Sequence, residues 1–242
     1  MSYSNGPTIV TDGLVLALDA GDRNSYPGSG TTWSDLAGSN NGTLTNGPTF
    51  DSGNGGSIVF DKVNDYVNLG NILNYTSQNF SFCGWVSFLN FTSNRPPGDG
   101  NINTLPLIYK GSFQVNGYYI TVRTPAGEIA PNTLALITSQ SGARQVTTGT
   151  FPSEMVLNQW YYLACTREGS VGKAYINGQD QTTSSESHID PSSSNQNFTI
   201  SNYSNRFLLS NAKHALWTSY NRALSADEIL QNYNATKGRF GL

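Results

Sequence analysis

Carboxylates, imidazoles and thiols are the groups that could do acid–base or nucleophilic work, and in this 242-residue chain they are few and scattered. Two carboxylates two residues apart on a strand would face one groove, as glycoside hydrolysis requires. The five glutamates, Glu128, Glu154, Glu168, Glu186 and Glu228, each lack another acid at that spacing. Asp61 and Asp65 lie four apart across a turn and read as turn-capping acids. His188 and His214 stand alone, and a lone histidine reads as a surface or core residue. The chain has no HExxH, G-x-S-x-G or P-loop spacing. Cys83 and Cys165 fall in apolar runs and read as buried reduced thiols, with a cross-sheet disulfide as the alternative.

Binding chemistry is better supplied. Sugar recognition asks for aromatic faces against C–H surfaces, with neutral amides and hydroxyls for the sugar hydroxyls. Tyr26 and Trp33 flank one Gly/Ser-rich segment, Tyr118 and Tyr119 follow another, and Asp99 and Asn101 lie in the long segment 92–104. The expected ligand-binding set is therefore Tyr26, Trp33, Asp99, Asn101 and Tyr118. Strand alternation sends about half of such aromatics into the core, which is the competing reading.

The elements that must position these groups read as strands and turns. Charged residues are only 12 % of the chain, and polarity comes from 27 Asn with abundant Ser, Thr and 25 Gly. Asn and Gly favour tight turns, whereas Thr, Tyr and Phe favour strands. Strands are predicted at 14–19, 57–61, 66–69, 80–88, 105–110, 118–123, 133–138, 160–167, 173–176, 198–200, 206–209 and 215–220. Asn177-Gly178 predicts a hairpin with positive φ at both turn positions. Segments 22–33, 92–104 and 184–196 read as long loops, where sites concentrate. Near the end, Leu224-Ser225-Ala226-Asp227-Glu228-Ile229 predicts a helix start: Ser225 as N-cap, Glu228 closing a capping box, and Leu224 with Ile229 as a staple. Residues 238–242 follow as an apolar-basic tail suited to docking on a neighbour.

The net charge of −3, a pI near 5.3 and the lack of a basic stripe argue against nucleic-acid binding. No apolar run approaches the length of a membrane span. MSYSNGPTIVTDG has neither the basic nor the apolar segment of a secretory signal, which predicts synthesis in the cytoplasm. Seven Asn-x-Ser/Thr sequons read as a consequence of composition.

Several segments, taken in order, resemble one family. LVLALDAGDRNSYPGSGTTWSDLAGSNNGTLTNGP at 14–48 resembles the opening of laminin-G-like, concanavalin-A-like domains. SIVFDKVNDYVNLG at 57–70, FSFCGWVSF at 80–88, NQWYYLACTRE with KAYINGQ, and the closing SYNRALSADEILQNYNATKGRFG are similar to its later signatures. Together they span roughly residues 9–242. The resemblance implies an all-β jelly-roll sandwich of two antiparallel sheets with one short C-terminal helix, as one domain. Lys62 stands where the family often has Gly, which predicts a turn without positive φ. The Glu-x-Asp-x-Glu motif of the family's glucanases is absent.

Domains of this class often hold one Ca²⁺ through oxygen ligands. That implies Asp19 and Asp22 (with Asn24) as metal ligands, or Asp99, Asn101 and Asn103. The closing segment also resembles that of laminin-G-like proteins of tailed bacteriophages. The expected function is thus a non-enzymatic virion structural protein, a capsid decoration or fibre-type appendage, made in the host cytoplasm and displayed on the particle. Its expected partners are other virion proteins and host-surface polysaccharide, in a closed homo-oligomer with a trimer favoured. The rivals are a Ca²⁺-dependent lectin-like adhesion domain and, further off, a glycan hydrolase or lyase.

Overall fold

The structure, a computed structural model, describes residues 7–92, 102–125, 132–203 and 208–242. It is an all-β sandwich of two antiparallel sheets closed by one short C-terminal helix. The eight-stranded sheet runs in the order Gln179–Asp180, Val171–Ile176, Trp160–Glu168, Phe80–Phe88, Asn211–Tyr220, Ser57–Asp61 and Thr49–Asp51, with Leu14–Asp19 also paired to Asn211–Tyr220. The nine-stranded sheet runs Thr182–Ser185, Ala143–Thr150, Thr133–Gln140, Asn116–Pro125, Ile102–Ser112, Thr199–Ile200, Tyr66–Asn68, Gly42–Thr45 and Thr32–Trp33.

Alternation along Phe80–Phe88 explains the layering. Phe80, Phe82, Val86 and Phe88 face the core between the sheets, whereas Cys83 and Trp85 face outward beneath the helix. Gly84 leaves room for the Trp217 ring, which a Cβ there would meet at 2.5 Å. A bulge between His214 and Leu216 turns both His214 and Trp217 inward, so the indole donates to His214 Nδ1 at 2.9 Å. The two cysteines fall on opposite faces of the sheet, Cys83 outward and Cys165 in the central core, and both are free thiols. Their geometry rules out a bridge between them.

The helix Ala226–Thr236 begins as the sequence predicts. Ser225 Oγ accepts from Glu228 N at 3.3 Å, Glu228 Oε2 accepts from Ser225 N at 2.8 Å, and Leu224 and Ile229 pack in one apolar cluster. The tail departs from expectation. It folds as a 3₁₀ turn, Lys237–Phe240, onto its own sandwich, with Phe240 stacked 4.2 Å from the Trp85 ring. An aromatic that close to a large apolar face gains more by burial than by remaining free for a neighbour.

The Asn177-Gly178 hairpin has the expected positive φ at both positions, 51° and 79°. Lys62 corrects the reading of its turn: its φ is +66°, so the turn does take a left-handed residue. The conformation is held by neighbours, because Asp61 Oδ1 accepts from Val63 N at 2.7 Å and Lys62 Nζ donates to Thr92 Oγ1 at 2.7 Å.

Candidate functional site

The site is built on Tyr66–Asn68. Val67 points into the central core, so Tyr66 and Asn68 face outward on the nine-stranded sheet. Asn68 pairs with Thr199 of the neighbouring strand, where Phe198 and Ile200 point inward and Thr199 outward. Asn195, Gln196 and Asn197 lead into that strand, and Asn202 leaves it after Ser201, which turns the chain at φ +66°. These seven residues, Tyr66, Asn68, Asn195, Gln196, Asn197, Thr199 and Asn202, line a cleft of about 190 Å³.

Local bonds fix the walls and leave the amides available. Asn68 Oδ1 accepts from Gly70 N at 2.9 Å, Thr199 Oγ1 donates to the Asn202 carbonyl at 2.9 Å, and Gln196 N donates to Ser194 Oγ at 3.1 Å. Among the described residues, the side-chain amides of Asn195, Gln196, Asn197 and Asn202 make no hydrogen bond, and the first three are exposed. Tyr66 is half-buried at the same cleft. The lining holds no carboxylate, imidazole or cationic side chain, and its amides can donate to and accept from hydroxyl groups.

The residues expected from sequence lie elsewhere. Trp33 and Tyr118 are fully enclosed in the central core, and the Tyr118 hydroxyl donates to the Leu73 carbonyl at 2.8 Å. Strand alternation places both inward, so core packing takes them out of ligand reach. Tyr26 is also a core residue, tilted on Phe50 at 5.4 Å, and only its edge borders a second cleft of about 170 Å³ with Arg23, Pro27 and Gly55. Asp99 and Asn101 lie outside the described residues, and nothing is described of the Asn103 side chain.

The carboxylates expected to bind Ca²⁺ are already engaged. Asp19 Oδ1 accepts from Arg239 Nη1 at 2.5 Å and from Gly21 N at 2.8 Å, while Asp22 Oδ1 accepts from both nitrogens of Asn24. A guanidinium already takes the Asp19 oxygen, so Asp19 with Asp22 falls short of a shell of six to eight oxygens. Among the described residues, no three His, Cys, Asp or Glu side chains converge as metal ligands do.

Both histidines are buried. His188 Nδ1 and Nε2 lie 2.8 Å from Thr138 Oγ1 and 2.7 Å from Thr147 Oγ1, and burial with the nearby Arg167 charge lowers its pKa to about 4. Burial lowers that of His214 to about 3. Burial also pushes the Cys83 thiol up to about 11, and the Cys165 thiol higher still. Neither histidine is poised to take a proton near neutrality, and neither thiol is a ready nucleophile. Other acids serve the scaffold. Glu228 is forked by Arg222, Asp51 is paired with Lys213 and Asp190 with Arg167, and Asp35 accepts from the backbone of Ala17, Ala37 and Asn40.

No residue of the cleft was expected as ligand-binding from sequence. The one available signal was Asn195-Gln196-Asn197, three consecutive amides at the end of the long 184–196 segment.

Two antiparallel sheets face to face, with an amide-lined cleft on an outer face, make this a β-sandwich protein. The model of the concanavalin A-like lectin/glucanases superfamily, laminin G type 3, matches residues 61–230, and the chain belongs to that family. Similar solved structures include Trypanosoma rangeli sialidase in complex with sialic acid, at 16 % identity and a TM-score of 0.64, covering 98 % of this chain and 36 % of the sialidase. The binding domain of Paraclostridial Mosquitocidal Protein 1 gives 15 % and 0.66, and that of botulinum neurotoxin serotype D gives 14 % and 0.64; each match covers 93 % of this chain and 52 % of the other. This chain thus spans about a third of the sialidase and about half of each toxin domain. At such identities the likeness is one of fold. No curated protein matches the sequence significantly.

Proposed function

We propose that this chain is a non-enzymatic carbohydrate-binding module, taking neutral, hydroxyl-rich glycan in the cleft beside Tyr66. The observation that carries this reading is the set of spare amides on Asn195, Gln196, Asn197 and Asn202 around one half-buried tyrosine. Amides offer a donor and an acceptor together, as a sugar hydroxyl does. Membership of a lectin/glucanase superfamily supports binding, and the engagement of Glu228, Asp51 and Asp19 in scaffold contacts supports a non-catalytic role. The setting proposed for it is display on a bacteriophage particle, as capsid decoration or fibre-type appendage, in a closed homo-oligomer with a trimer favoured. The resemblance of the closing segment supports that setting, and neighbouring head or tail genes would test it.

The binding test is a titration of the whole protein with maltohexaose, cellohexaose and chitohexaose, beside polygalacturonate as an acidic control. Binding of a neutral oligomer that Tyr66→Ala weakens about tenfold, the scale of one lost aromatic face, is the expected result. Binding restricted to polygalacturonate, or unchanged in Tyr66→Ala, would overturn the assignment. Loss of binding in chelator would favour the Ca²⁺-dependent lectin-like adhesion domain instead. Shortened products would favour the hydrolase or lyase.

A further inference from the structure

Resting on that cleft, we propose that Lys110 is its positioning residue: from inside the end of the sandwich its ammonium holds the Asn195–Asn197 segment in place through the carbonyl of Gln196. Lys110 belongs to Ile102–Ser112, lies opposite Tyr118 and is 1 % exposed. Its Nζ donates to the Gln196 carbonyl at 2.5 Å and to Asn71 Oδ1 at 2.5 Å.

The segment needs such a hold. At its start the Ser192 carbonyl accepts from Gly117 N, and Ser192 N donates to the Ser139 carbonyl; at its end Phe198 N donates to the Gly70 carbonyl at 2.7 Å. Between Ser192 and Phe198, among the described residues, the bond from Lys110 is the segment's one hydrogen bond to the rest of the protein. The same three residues, Asn195 to Asn197, carry three of the cleft's five side-chain amides.

Stability alone gives no reason for a lysine here. Its surroundings are Tyr118 on the neighbouring strand, Asn74, Tyr75 and Thr76 from the segment below, and Ser192, Ser193 and Ser194 above. Burial pushes the Tyr75 hydroxyl up to about 12 and that of Tyr118 well above its usual value, so both stay neutral. No described carboxylate pairs with Lys110, and burial lowers its own pKa to about 8. A buried cation with no counter-ion costs folding energy, and an apolar side chain of similar length would avoid that cost. What the ammonium supplies, and methionine cannot, is two charge-assisted bonds joining Asn71 to Gln196.

The test is hydrogen exchange by mass spectrometry on the whole protein, corrected for intrinsic rates. In Lys110→Met, exchange in peptides covering 195–198 should rise about tenfold, the scale of a lost charged hydrogen bond. Peptides from Phe80–Phe88 should not change, and the melting temperature should hold or rise. In the wild type, protection of 195–198 should fall as pH passes about 8, where the ammonium loses its charge. Asn71→Asp, which supplies a counter-ion, should move that fall to higher pH. Unchanged exchange in Lys110→Met, or, should that variant fail to fold, a pH-independent wild type that Asn71→Asp leaves unaltered, would overturn the proposal. The exchange result needs no glycan, so the two readings fail separately. A segment loosened in Lys110→Met with no oligomer bound by the wild type would keep the positioning role and remove the glycan reading. Equal binding of a neutral oligomer by wild type and Lys110→Met would do the reverse.

Discussion

Replacing Asp65 by asparagine should stabilise this protein at pH 8 and have little effect at pH 4. Asp65 is buried at the end of the turn in which Lys62 is left-handed, and its Oδ2 accepts from Asp61 N at 3.3 Å. Burial, and then the charge of Asp61, raise its pKa from 3.8 to about 6. A carboxyl raised in the folded state contributes most below its unfolded value, when it is protonated in both states. That contribution is lost as pH climbs from about 4 through about 6, because the unfolded chain releases its proton first. At about 1.4 kcal/mol per pH unit, the interval sets a ceiling near 3 kcal/mol. Asp61 is exposed and water screens its charge, so about 1 to 2 kcal/mol is the expected loss. Asparagine keeps an acceptor for Asp61 N and never ionises. Thermal melts at steps from pH 4 to pH 8 should therefore show the two proteins diverging as pH rises. The gap at pH 8 should reach about 2 to 8 °C, given about 2–4 °C per kcal/mol for a chain of this size. Curves that stay parallel across the range, or an Asp65→Asn variant less stable than the wild type at pH 8, would refute the reasoning.

Two other substitutions test the closing clasp. Ser225→Ala removes the N-cap acceptor and should cost about 1 kcal/mol in denaturant titrations while leaving glycan binding unchanged; selective loss of binding would contradict a structural role for the helix. Phe240→Ala empties the space against Trp85 and Trp160 and should cost about 3 kcal/mol, with a red shift in tryptophan emission as Trp85 gains water. An unshifted spectrum would show that the tail does not cover Trp85 in solution.

The fold was legible where alternation is strong. Leu14–Asp19, Ser57–Asp61 and Phe80–Phe88 match their predicted bounds because apolar side chains recur along each strand in the core. Ala143–Thr150 went unread, since ARQVTTGT offers one large apolar residue and takes its strand from the ladder with Thr133–Gln140. The Lys62 turn misled for a related reason. Glycine is the cheap way into positive φ, but hydrogen bonds from Val63 N to Asp61 and from Lys62 to Thr92 make a lysine sufficient, and Thr92 is not a local sequence feature.

The site was less legible than the fold because aromatics, the residues most visible in sequence, are also those the core claims first. Trp33, Tyr118 and Tyr26 each gain more from enclosure than from waiting at a surface, so their prominence pointed inward. Tyr66 and Asn68 carry the opposite phase of a short strand whose one core residue is Val67, and nothing local distinguishes them from other outward polar residues. Their neighbours come from the far end of the chain, through the pairing of Asn68 with Thr199. What marks the cleft is a relation between segments: a buried lysine holds the loop by its carbonyl, and, among the described residues, the side-chain amides of Asn195, Gln196, Asn197 and Asn202 make no hydrogen bond.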